Sequence, residues 1–237
     1  MVRRFLVSLF LLAALPGVAQ AGPWPREPGG VFTSLSAERD RNGNLYSGLY
    51  AEYGLSPRNT VGVEIGRASV GETTGLIWLQ RALDAGEGPN RFSASLGLGA
   101  VERDGRVHPL GQIGAGWGRG VQTRLGDGWI TVEGRVKIAG GMDLAGLARG
   151  LTPTEDSYLT PETVAKAEVT FGLRPVDGLM VISQLRLERR PHEALSQKLV
   201  GSVVQDLGGP AKIELGLILP VAGPGARAVK IGTWLEF

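Results

Sequence analysis

Side-chain polarity along this chain alternates with a period of two, in segments of about ten residues separated by turn formers, and that pattern decides the fold class. The clearest segment is Trp129–Ala139, where Ile130, Val132, Val136 and Ile138 share one face and Thr131, Glu133, Arg135 and Lys137 the other. Val164–Leu173 sets Ala165, Ala167, Val169, Phe171 and Leu173 against Lys166, Glu168 and Thr170, and Ala211–Pro220 sets Ile213, Leu215, Leu217 and Leu219 against Lys212 and Glu214. Thr60–Gly66 and Arg91–Val101 alternate as cleanly. Val31–Glu38, Leu45–Leu55, Leu76–Leu83, Leu110–Gln122, Leu179–Arg189, Gln197–Gln205 and the C-terminal segment bring the strands to about twelve, with ten or fourteen as the neighbouring even counts. Around Leu76 either face can be the apolar one.

A strand with one apolar and one charged face can lay its apolar side against another sheet or against lipid. A soluble β-sandwich would mix large core residues on its inner faces. Here the apolar faces run to Leu, Val, Ile and Ala, the opposite faces carry frequent charge, and 37 glycines accompany a mean hydropathy near zero. Beyond residue 21 no apolar run approaches the roughly 20 residues of a spanning helix. The expectation is therefore an all-β fold, an antiparallel transmembrane β-barrel over residues 31–237, with a soluble periplasmic β-sandwich binding protein as the rival.

Both ends of the chain agree with a barrel. Arg3 and Arg4 precede an apolar run, Phe5 to Leu15, and Ala19-Gln20-Ala21 offers small residues for cleavage, so residues 1–21 read as a secretory signal peptide and Gly22 as the mature start. Removing the leader leaves 23 basic against 23 acidic residues, so net charge gives no reason to expect nucleic acid as a partner. No cysteine is present for a lipid anchor, a disulfide or a thiolate metal site. At the other end Val229, Ile231, Thr233, Leu235 and Phe237 form an apolar face that runs to the last residue. Lys230, Gly232, Leu235 and Phe237 resemble, position by position, the C-terminal β-signal of Gram-negative outer-membrane proteins. That resemblance implies the outer membrane, contact with its lipid, and assembly by periplasmic chaperones and the barrel-assembly machinery. The barrel is expected to be monomeric.

With twelve strands and both termini periplasmic, the turns at Leu55–Asn59, Arg174–Gly178 and Asp206–Pro210 fall on the periplasmic side, and the long connection Gly140–Pro161 falls outside, where long loops belong. Gly22–Gly30 holds three prolines and cannot be a strand, so it is expected as a periplasmic lead-in. Trp24, Tyr53, Trp117, Trp129 and Trp234 lie near strand ends, the places of an aromatic girdle.

The inward faces then carry Glu52, Glu64, Glu133, Glu168, Glu188, Glu214 and Glu236 with Arg135, Lys137, Lys166, Arg186, Lys198, Lys212 and Lys230. Balanced signs on neighbouring strands fit cross-strand ion pairs that fill a narrow lumen, or a charged wall that orients small polar solutes. Two inward faces are almost bare, Ser93, Ser95, Gly97 and Gly99 beside Gln112, Gly114, Gly116 and Gly118. They leave room for a solute path or for an inserted segment. In the long loop, Met142, Leu144, Leu147 and Leu151 have helical spacing, and Arg149, Glu155 and Asp156 are the candidates for binding at the mouth.

Catalysis finds little support. A nucleophilic hydroxyl needs a base within hydrogen-bond reach, and only His108 and His192 exist, neither followed by the His-x-Ser pair of outer-membrane lipid hydrolases. His192 with Ser196 is the one opening toward such a hydrolase. Asp40-Arg41-Asn42-Gly43-Asn44 lacks the later Glu of a calcium loop and reads as a hairpin turn. No cofactor and no metal are implied. The sequence thus points to a narrow channel for small polar solutes or to a structural barrel.

Overall fold

A computed structural model describes residues 22–69, 71–103, 105–140 and 162–237. Twelve strands form one sheet that closes on itself: β1 (Val31–Asp40), β2 (Leu45–Ser56), β3 (Asn59–Ala68), β4 (Glu72–Ala82), β5 (Asn90–Arg103), β6 (Arg106–Thr123), β7 (Gly126–Ala139), β8 (Glu162–Val176), β9 (Leu179–Arg189), β10 (Ser196–Asp206), β11 (Ala211–Ala222) and β12 (Ala228–Glu236). Each strand pairs antiparallel with its sequence neighbours, and β1 pairs with β12 from Phe32–Glu236 to Asp40–Ala228. The seam is tied at its end by two reciprocal backbone bonds between Val31 and Phe237 (3.0 and 2.9 Å). A single closed sheet has no second sheet to pack against, which overturns the β-sandwich alternative.

The alternation places side chains as expected. Outward residues include Leu98, Ile77, Leu96, Leu217 and Leu215, all more than half exposed, a continuous apolar surface that a soluble protein does not present. The ambiguous strand β4 also resolves: Leu76 and Trp78 point inward and are buried, while Ile77 and Leu79 face out. Both faces of β4 are apolar because its inward side chains lie over glycines of the adjoining strands. Trp78 covers Gly62, where no Cβ would fit, and Leu76 and Trp78 pack on Gly97.

We call the end carrying Val31 and Phe237 proximal. The turns after β2, β4, β6, β8 and β10 share it. The connection between β7 and β8, with the mouth candidates Arg149, Glu155 and Asp156 and the helix-spaced Met142, Leu144, Leu147 and Leu151, lies outside the described residues.

Candidate functional site: an occupied lumen

The lumen begins with its ion pairs. Adjacent strands supply Lys166–Glu188 (3.1 Å), Lys230–Glu214 (2.8 Å) and Lys212–Glu236 (2.9 Å). Trp234 Nε1 also donates to Glu214 (3.1 Å), and Arg190 also meets Glu188 (2.8 Å). Two further pairs join strands four places apart around the barrel. Lys137 on β7 reaches Glu64 on β3 (2.9 Å), with Arg135 at 4.0 Å from the same carboxylate. Arg186 on β9 reaches Glu38 on β1 (3.0 Å) while lying 3.7 Å from Glu168. These contacts cross the bore and divide it. Reading neighbouring strands from sequence identified the inward charges but could not supply the crossings, and Glu38 was missed. Lys198 lines the wall near the distal β11–β12 turn, its Cε against Gly225. Among the described lumen glutamates singled out from sequence, Glu133 is the one with no ion pair within 4.0 Å and no hydrogen bond, and Arg135 is the cation that acts on it.

Apolar side chains interrupt the charges. Trp129, Met180, Ile182 and Val204 form one buried cluster with Trp24 and Trp234 packed on it, and Leu76, Trp78 and Leu110 form a second beneath Tyr50. Trp24, Trp129 and Trp234 therefore line the lumen and are not girdle residues; Tyr53 faces outward, as does Trp117, whose indole N–H donates to Asn90 (3.2 Å). The signal for the first cluster was present in β9 and β10, where Met180, Ile182, Val200 and Val204 interrupt the polar face. An apolar residue on the inward face of a barrel strand marks a place where the lumen is packed.

The largest departure from expectation concerns residues 22–30. They are not a strand, but neither do they hang below the barrel: they fold into its proximal end and cross the lumen. At the β2–β3 wall, Gly29 N–H donates to the Gly54 carbonyl (2.8 Å), and Arg26 N–H to Thr60 Oγ1 (2.8 Å). The Arg26 guanidinium is paired with Glu52 and with Glu236 (3.1 Å to the latter) and lies 4.5 Å from the centre of the Phe32 ring. On β4, next to Thr60, Gln80 donates to the Gly22 carbonyl (3.1 Å). Pro23 is fully buried. It and Trp24 lie against Gly118, where a Cβ would stand 2.6 Å from each. The bare faces Gly116, Gly118 and Ser93 are thus the berth of the chain's own N-terminal segment. Beside it lies a cavity of about 90 Å³ between Arg26, Trp129, Thr131, Glu133 and Glu168.

The other candidates are not drawn together. Ser196 Oγ donates to the Pro224 carbonyl (2.7 Å) and has no hydrogen bond to His192, which sits in the left-handed region (φ 62°). Asp40 accepts from the N–H groups of Asn42 (2.8 Å) and Asn44 (2.9 Å), a turn closed by Gly43 (φ 87°). No group of three or more His, Asp or Glu able to hold a metal exists among the described residues.

A closed twelve-strand antiparallel sheet with an apolar exterior and a charged interior is the architecture of an outer-membrane β-barrel. Solved structures of that class superpose over nearly the whole chain. The KdgM porin matches with a TM-score of 0.63 at 7% identity over 87% of this chain and 99% of that one. An outer-membrane channel from Pseudomonas putida F1 gives 0.60 at 10% identity over 92% and 99%, and the NanC porin 0.59 at 7% over 87% and 100%. No protein-family model and no curated protein matches the sequence.

Proposed function

We propose that this chain resides in the outer membrane and provides a narrow passage for small polar solutes, with its proximal end on the periplasmic side. The observation that carries this reading is the bore itself, polar and charged inside an apolar wall, with Glu64–Lys137 and Glu38–Arg186 bridging it. Such bridges narrow a lumen and leave transverse rows of opposite charge, which suit dipolar or zwitterionic solutes better than ions of one sign. The KdgM porin has a solved structure in complex with disordered oligogalacturonate. Here glutamates alternate with the cations along the wall, and they oppose a polyanion of that kind. The C-terminal residues Lys230, Gly232, Leu235 and Phe237 act as the assembly signal that chaperones and the barrel-assembly machinery would read. Activity as a lipid hydrolase is not part of this reading, since Ser196 and His192 form no pair.

Single-channel conductance of the mature protein in a planar bilayer tests the proposal. Small discrete steps with weak anion–cation selectivity are the expected result. A silent bilayer, with folding shown by heat-modifiable gel mobility, would replace the channel by a structural barrel, a reading that the seated N-terminal segment already favours for the resting state.

A further inference from the structure

Glu133 and Gly22 belong to one site. Gly22 packs on Thr131, where a Cβ would stand 2.9 Å from Thr131 Cγ2. Glu133 is the next inward residue on β7. A Cβ on Gly116 would be 3.5 Å from Pro23 Cβ and 3.6 Å from Glu133 Cγ, so the Glu133 side chain borders the berth of Pro23. Its carboxylate borders the 90 Å³ cavity and accepts no hydrogen bond among the described residues, and the cation that acts on it, Arg135, is shared with Glu168 and with Glu64 (4.0 Å). The neighbouring glutamates each have a hydrogen bond or ion pair, and a half-buried carboxylate with a shared cation and no donor gains from a hydrogen-bonding cation of its own. Hydrolysis of the Ala21–Gly22 peptide bond creates one. Water is consumed, Ala21 keeps the new carboxylate, and Gly22 gains an α-ammonium group at this place in the lumen.

We infer that the berth is a binding site for the processed N-terminus: the α-ammonium of Gly22 pairs with Glu133 and locks residues 22–30 across the proximal mouth. Removal of the leader then supplies the charged group that completes the lock. An uncleaved chain has a neutral amide at Gly22, so the lock cannot form. The inference rests on cleavage after Ala21 and on the observed seat, and not on whether the bore conducts.

The test begins with the intact mass of the protein from outer membranes, which must correspond to a chain starting at Gly22. Any other start overturns the inference. An amine-acylating reagent at neutral pH is then followed by peptide mass spectrometry. The Gly22 amine should react about tenfold or more slowly in the folded than in the unfolded chain, as a group does when it is reached only through local opening, and Glu133→Gln should restore most of the rate. Equal rates folded and unfolded, or no effect of E133Q, would overturn it. A wild-type wall gives a second readout that does not depend on the variant folding. Refolding the mature chain with its α-amine acetylated should speed hydrogen exchange at Gly29 and Gly30 by about tenfold, and unchanged exchange is disproof. Deleting residues 22–29 separates the two readings, since slow acylation of the intact chain with no conductance from the shortened one sustains the lock and removes the channel.

Discussion

Arg26 is where the N-terminal segment is held most firmly, and replacing it by alanine tests the seat directly. Its side chain is 10% exposed, and its partners Glu52 and Glu236 are 9% and 19% exposed. Removing one member of a buried pair costs about 3–5 kcal/mol when the other is left bare. Here the loss is smaller. Glu236 keeps Lys212 at 2.9 Å and Glu52 keeps the Tyr50 hydroxyl, so about 2–3 kcal/mol is expected, the stacking on Phe32 included. Almost all of it falls on the equilibrium between seated and released segment, because the wall strands keep their own hydrogen bonds. At about 1.4 kcal/mol per factor of ten, release becomes roughly 30- to 150-fold more frequent. Hydrogen exchange reads this at two amides, Gly29 N–H bonded to Gly54 and Gly30 N–H bonded to Glu27 (2.9 Å). Both should accelerate by that factor while the amides of β5 to β8 do not. Arg26→Lys should fall between, since an ammonium keeps the charge but not the fork that spans two carboxylates. Exchange within threefold of wild type in a folded Arg26→Ala barrel would refute the reasoning.

Three other perturbations follow from the wall and its ends. Leu215→Arg or Val132→Arg places a cation on the outward apolar face and should disfavour insertion by about 2–4 kcal/mol near mid-bilayer, measured by reversible denaturation into lipid. Deleting Phe237 removes the last reciprocal bond pair with Val31 and should reduce assembled barrel in outer membranes, read by heat-modifiable mobility. In the proximal turn after β4, burial pushes the Asp84 carboxyl up, but the N–H groups of Phe92 and Gly86 and the Arg91 guanidinium outweigh it and hold it below the usual carboxylate range. A depressed carboxyl stabilises its loop above the unfolded value and loses that contribution as pH falls through the folded one. Exchange at Gly86 should therefore rise on acidification below about pH 4 relative to Asp84→Asn, which lacks the charge at every pH. A parallel response of the two proteins would refute this.

The sequence alone determined the strands, a count of about twelve, and their faces except on β4, where the alternation around Leu76 is apolar on both sides. A side chain on a pleated strand points to one face or the other, so polarity with period two states the register without any knowledge of neighbours, and turn residues such as Gly178, Gly208 and Gly209 mark the reversals. The inward charges and the bare faces at Gly116 and Gly118 were legible for the same reason. Contacts across the bore were not. Glu64 meets Lys137 and Glu38 meets Arg186 only because closing the sheet brings strands four apart within reach of long side chains, and no local pattern encodes that distance. The N-terminal segment shows the limit most clearly. Three prolines exclude a strand, but whether Gly22–Gly30 lies outside the barrel or within it depends on a cavity whose two sides, Gly118 with Thr131 and Glu52 with Glu236, come from opposite parts of the chain. Only the closed tertiary structure puts them around one space of the right size and charge to hold Pro23, Trp24 and Arg26.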